Sequence, residues 1–136
     1  MTVVLDCNIL VICLTSKSPH HHIYRSLIEG KFDLVVSGEI ILEYEEIIQE
    51  KYGIVTANAL ISLLKELPNV HSINPYYKWQ LIDADPDDNK YCDCAIAGKA
   101  MYIVTEDKHF NVLKNISFPS LTTINIDEFL KIIQPF

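Results

Sequence analysis

The stretch DADPDDNKYCDCAIAGKAMYIVTEDKHF, residues 83–110, decides how the chain is read. Asp85-Pro86-Asp87-Asp88 has the form of a helix start. Asp stands at the N-cap, Pro at the first helical position, and acids in the first turn, where the helix dipole favours them. The predicted helix runs to about Ala100. Tyr102 to Thr105 then forms a short, largely β-branched run that reads as a buried strand. An aspartate, Asp107, stands just past it.

The same alternation extends outward. Thr2 to Leu5, Asp33 to Val36, Val70 to Ile73 and Leu121 to Ile124 read as strands. Ser18-Pro19 reads as an N-cap with Pro at N1, opening a helix to about Glu29 that Gly30 stops. Ser37 caps a helix from Gly38 to about Lys51, with Gly53 after it. Thr56 to Leu67 is a further helix ended by Pro68, and Ile126 to Ile133 closes the chain. Strands separated by helices predict an α/β fold with a mostly parallel sheet. No linker, composition break or repeat divides the sequence, so one domain over 1–136 is expected.

Composition sets limits. With 49% hydrophobic residues and only 4 Gly and 6 Pro in 136, disordered and low-complexity classes are excluded. The balance of 11 Lys+Arg against 18 Asp+Glu gives a net charge of −7, which argues against a broad basic surface for nucleic acid. No apolar run reaches the roughly 20 residues a bilayer needs. The opening MTVVLDCNILVICL carries Asp6 and no basic residue, unlike a signal peptide. No membrane partner is expected. Cys7, Cys13, Cys92 and Cys94 sit in apolar contexts and read as buried free thiols of a cytoplasmic protein.

In parallel sheets, ligands bind beyond the carboxyl ends of the strands. Asp6 follows TVVL and Asp107 follows YIVTE, so both belong to that rim. A carboxylate there is partly desolvated and needs a cation, a donor or a proton. In the helix after Ser37, Ile40, Ile41, Tyr44, Ile47 and Ile48 form the apolar stripe. Glu43 and Glu45 flank it on opposite sides, each about 100° from its centre, and periodicity does not choose between them. Asp88 lies in a first helical turn, where an acid is favourable without any further role. Asp93 lies mid-helix among apolar neighbours, with Asn89 four residues before it. Acids from separate elements, with no competing nucleophile apparatus, suit hard Mg2+ or Mn2+. Such ions serve phosphodiester hydrolysis.

The chain resembles the PIN-domain nucleases, in particular bacterial toxins of toxin–antitoxin systems related to VapC. VVLDCNILV resembles the opening strand of that family, usually with Thr where Cys7 stands. LVVSGEIILEYEEII resembles its second strand and Glu-bearing helix. Residues 83–110 resemble its Asp-rich helix start, strand and final Asp, and TTINIDEFLKII resembles its closing strand and helix. The resemblance implies a three-layer α/β/α, Rossmann-like domain. It places an acidic site on Asp6, Glu43, Asp88 and Asp107. In the VapC relatives the third acid falls in the register of Asn89. Asp88 stands one residue before it and is taken as the acid, with Asp93 as helper or substitute.

The implied activity is hydrolysis of RNA by a metal-dependent endoribonuclease, leaving a 5′-phosphate and a 3′-hydroxyl. Asp6, Asp88 and Asp107, helped by Asp93, would hold one or two Mg2+ or Mn2+ ions. Glu43 would orient an ion or its water. Asn8, Asn89 and Thr105 would support the carboxylates. The implied partners are RNA and a cognate antitoxin, in the cytoplasm, with a homodimer as a further expectation. The rival reading is a PIN fold that binds RNA or protein without cutting.

Other features carry less. His20-His21-His22 lie in a predicted first turn, where consecutive residues point different ways, and read as a surface cluster. Tyr76, Tyr77 and Trp79 read as aromatic packing under a loop before stacking on RNA bases. Lys90, Lys99, Lys108 and Lys114 could meet a phosphate backbone locally. A haloacid-dehalogenase-type phosphatase would want an acid where Asn8 stands. A phosphoacceptor receiver domain would want an acidic pair near the first strand. If four acids bind cations, the negative net charge leaves room for RNA held through metal and nearby lysines, and for a basic antitoxin tail.

Overall fold

The computed structural model describes residues 1–134. The chain order is β1 (Thr2–Leu5), α1 (Cys7–Leu14), α2 (His21–Ile28), β2 (Asp33–Val36), α3 (Gly38–Tyr52), α4 (Ile54–Glu66) and β3 (Val70–Ser72). A 3₁₀ turn at Pro86–Asp88 leads into α5 (Asn89–Ala97) and β4 (Tyr102–Val104). A second 3₁₀ stretch, Lys108–Asn115, precedes β5 (Thr123–Ile124) and α6 (Ile126–Ile133). The last two residues of the expected span 1–136 lie outside the described residues.

The strands form one sheet in the order β3-β2-β1-β4-β5, parallel throughout and flanked by helices, an α/β/α arrangement. The chain winds from β1 outward to β3, then crosses back to β4 and winds the other way. The switch point lies between β1 and β4, the place where ligands bind in sheets of this kind. Register sharpens this. Leu5 pairs with Val104, so the next residues, Asp6 and Thr105, emerge side by side. The core is continuous from Val3, Val4 and Leu5 to the edge-to-face pair Phe32–Phe129, whose centroids are 5.0 Å apart.

Several boundaries differ from the sequence reading. Ser18 does not cap α2. Its Oγ accepts the His20 N–H at 3.1 Å in a preceding turn, and α2 starts at His21. α4 starts at Ile54, because Gly53 at φ 94° ends α3 and turns the chain at once. β5 is confined to Thr123–Ile124, where the ladder with β4 exists. Asp85 caps only the 3₁₀ turn, accepting the Asp87 N–H at 3.2 Å. α5 ends at Ala97, not Ala100. The Ala100 N–H returns to Ala95 O at 2.9 Å and the Lys99 N–H to Ile96 O at 3.2 Å, with Lys99 at φ 54°. These are the two bonds of a Schellman motif. α1 and the Lys108–Asn115 stretch were not foreseen.

The histidine run is structural. His20 Nε2 meets Asp127 Oδ1 at 2.7 Å, and His21 Nδ1 meets Cys13 O at 2.9 Å, tying α2 to α6 and α1. Among the described residues no helix is long and apolar enough to cross a membrane.

Candidate active site

The two strand-end acids meet at the switch point. Asp6 is 4% exposed, and its Oδ2 accepts the Thr105 hydroxyl at 2.8 Å. Thr105 Oγ1 in turn accepts the Asp107 N–H at 3.0 Å, so one hydroxyl positions both. Burial pushes the Asp6 carboxyl up. The Thr105 bond opposes this, and the nearby Glu43 and Asp107 charges add to it.

Glu43 reaches the same place from α3. Its Oε1 accepts the Tyr91 hydroxyl, and its Oε2 lies 2.9 Å from Lys90 Nζ. Desolvation raises its carboxyl, but the Tyr91 and Lys90 bonds outweigh it and the net shift is downward. Carboxylate oxygens of Asp6 and Glu43 and the Cys7 sulfur lie within 4.8 Å of one another. Burial and the Asp6 and Glu43 charges push the Cys7 thiol up to about 12, so it is protonated near neutral pH and is no nucleophile.

Asp88 is the least satisfied acid. It is 9% exposed, and its Oδ2 is buried without a hydrogen-bond partner. His109 Nδ1 stands 3.5 Å from that oxygen and 3.3 Å from Asp107 Oδ1. Desolvation, then the charges of Asp107 and Asp85, raise its carboxyl to about 7. Asp85, Asp88 and His109 also offer ligand atoms within 4.8 Å of one another.

Asp6, Glu43, Asp88 and Asp107 are thus brought together. Asn89 and Asp93 are not. Asn89 Oδ1 accepts the Ile82 N–H at 2.8 Å and its Nδ2 donates to Ile82 O at 3.0 Å, a two-point clamp on the loop before α5. Asp93 Oδ1 accepts the Trp79 N–H at 3.0 Å. Asn8 is exposed on the first turn of α1, its Oδ1 4.0 Å from Cys7 Sγ. The loop aromatics are less covered than expected. Trp79 packs edge-on against Tyr77 at 4.6 Å and Phe118 at 6.0 Å, while Tyr76, Tyr77 and Phe118 are exposed.

Sequence reasoning missed His109 and Tyr91, and gave Lys90 only a general role as a positive charge. His109 had a signal: it stands two residues past a strand-end acid, and its N–H bonds Asp107 Oδ1 at 2.9 Å. Tyr91 had none, since a buried tyrosine on a helix reads as core.

The donor set fits a divalent cation. The buried Asp88 oxygen, which has no hydrogen-bond partner, needs a cation or a proton to be tolerated there. Apart from the Cys7 sulfur at the Glu43 end and one imidazole, the donors are oxygens, as hard ions prefer.

This fold belongs to a known class. A family model described as PIN domain matches residues 2–109, and the chain belongs to the PIN-domain family. Among solved structures the chain is similar to VapBC2 from Rickettsia felis, bound to a DNA fragment from its promoter. Identity is 16%, the TM-score is 0.63, and the match covers 92% of this chain and 98% of that one. VapBC-1 from nontypeable Haemophilus influenzae is similar at 17% identity and TM-score 0.62, covering 93% and 99%. The PIN domain of RRP44 from T. brucei is similar at 15% identity and TM-score 0.51, covering 95% and 78%. At these identities the likeness shows the fold. No curated protein matches the sequence.

Proposed function

We propose that the chain, as a single PIN domain over 1–136, is a Mg2+- or Mn2+-dependent endoribonuclease and the toxin of a toxin–antitoxin pair. The observation that carries the nuclease reading is the buried Asp88 oxygen, without a hydrogen-bond partner, beside Asp6 and Asp107 at the switch point. VapBC structures among the neighbours support an antitoxin as partner. Four buried free cysteines suit a reducing cytoplasm.

In this reading Asp6, Asp88 and Asp107 hold the cation. When bound, it supplies positive charge to the phosphate and acidity to a water. Thr105 keeps the Asp6 and Asp107 carboxylates in place. Glu43, fixed by Tyr91 and Lys90, orients the attacking water. His109, between Asp88 and Asp107, donates to the carboxylates or to a phosphate oxygen. Water attacks phosphorus in line with the 3′-oxygen. The P–O3′ bond breaks, and the proton goes to the leaving oxygen, giving a 5′-phosphate and a 3′-hydroxyl.

The test is cleavage of a mixed RNA with Mn2+ by wild type and Asp6→Asn. Cleavage lost in the variant supports the reading. Equal cleavage in both overturns it, because a contaminant would explain the activity. No cleavage by either favours the RNA- or protein-binding module. Asn89 is engaged with Ile82 through both of its amide atoms, which supports Asp88 as the third acid of the site.

A further inference from the structure

The acids of the cluster are not equivalent. Asp88 has a buried oxygen with no hydrogen-bond partner, whereas both oxygens of Glu43 are engaged by the chain itself. Tyr91 donates to Oε1, and the same hydroxyl accepts the Cys7 N–H at 3.2 Å. Lys90 Nζ stands 2.9 Å from Oε2 and is not a free surface lysine, its side chain being 10% exposed. Its ammonium also donates to Asp87 O at 3.0 Å and lies 5.6 Å from the Tyr91 ring centroid.

We propose that Lys90 takes the place of a second divalent ion, so that the site binds one ion, on the Asp88 side of the cluster. This rests on the metal reading above. An ion at Glu43 would have to break a largely buried ion pair and leave the ammonium uncompensated, which is costly. A divalent ion beside an ammonium also meets direct repulsion in a region of low dielectric. The remaining donor at that end is the Cys7 sulfur, within 4.8 Å of the Asp6 and Glu43 oxygens. Sulfur is a soft donor and a poor ligand for the hard ions Mg2+ and Mn2+. The opposite end offers Asp85, Asp88 and His109, none of which forms an ion pair with a lysine. Lys90 is therefore a positioning residue: it holds Glu43 in one orientation and sets the ion count.

The experiment counts Mn2+ bound to the full chain, by the loss of the free-ion electron-spin-resonance signal and by equilibrium dialysis. Wild type and Lys90→Arg bind one ion per chain. Lys90→Met, which keeps the aliphatic stem and loses the charge, binds two. Two ions on wild type, or one on a folded Lys90→Met, overturn the proposal. If Lys90→Met does not fold, the wild-type and Lys90→Arg counts decide, since a second ion on either overturns it. No bound ion on wild type overturns the metal reading and this inference together, a result distinct from two-ion binding.

Discussion

Thr105 Oγ1 donates to Asp6 Oδ2 at 2.8 Å and accepts the Asp107 N–H at 3.0 Å, so two acids 101 residues apart in sequence are locked by one hydroxyl. Parallel register makes this possible, because β1 and β4 end level at Leu5 and Val104. Thr105→Val keeps the shape and removes both bonds. The expected loss is about 1–3 kcal/mol of stability, read as a lower urea midpoint. RNA cleavage falls with it, and Thr105→Ser restores both. An unchanged midpoint in the valine variant would mean that the hydroxyl does not hold the two acids.

Asn89→Asp tests which residue supplies the third acid. The substitution restores an acid in the VapC register. It also replaces the Nδ2 donor to Ile82 O with an oxygen, setting like dipoles against each other. The loop before α5 loosens, and stability falls by about 1–2 kcal/mol. Cleavage does not rise. Asp88→Asn, in contrast, abolishes cleavage. A more active Asn89→Asp enzyme would show that the register of the relatives applies here.

The pH dependence of the metal-free protein follows from Asp88. Its carboxyl is raised from 3.8 to about 7, chiefly by desolvation and then by Asp107. The folded state then binds the proton more tightly than the unfolded state. This contribution to stability is full below the unfolded value and is lost as pH rises through about 7. Asp88→Asn removes the penalty. In chelator, the variant should melt above wild type at about pH 8 and level with it near pH 4. Saturating Mn2+ should reverse the order at the higher pH. A wild type that is more stable than Asp88→Asn in chelator at alkaline pH would refute the buried-charge account.

Gly98 tests the packing that seats α5. A Cβ there would lie 3.0 Å from Ile73 Cδ1, 3.0 Å from Val35 Cγ1 and 3.1 Å from Cys94 O. The glycine is needed for close approach to the sheet, while Lys99 takes the left-handed position. Gly98→Ala should cost about 1–3 kcal/mol by overpacking, measured by chemical denaturation. An alanine variant as stable as wild type would show that β2 and the segment after β3 give way freely.

Much of the frame was legible because its signals are local. The Ser37 cap and Gly53 bracket α3, and the Ser37 side chain does accept the Ile40 N–H at 3.3 Å. The short β-branched runs gave strands, and Asp6 and Asp107 follow two of them. α1 was not legible. CNILVICL packs between α2 and α3, so it lacks an amphipathic period, and its sequence reads as an apolar run without type.

Within the site, the sequence by itself determined which kinds of groups reach the rim: acids after parallel strands, and a glutamate on one border of a helix. It left Glu43 and Glu45 symmetric about the apolar stripe. Family resemblance favoured Glu43, and the tertiary contacts with Tyr91 and Lys90 of α5 supply its physical reason. The different placement of Asp88, Asn89 and Asp93 is also tertiary. Pro86–Asp88 is a 3₁₀ turn, which rotates about 120° per residue against about 100° for the α-helix that follows. That change in pitch turns Asp88 toward Asp107 and Asn89 toward Ile82. Spacing along a chain carries no record of such a change, because it arises only when the loop, the helix and the strand ends pack together.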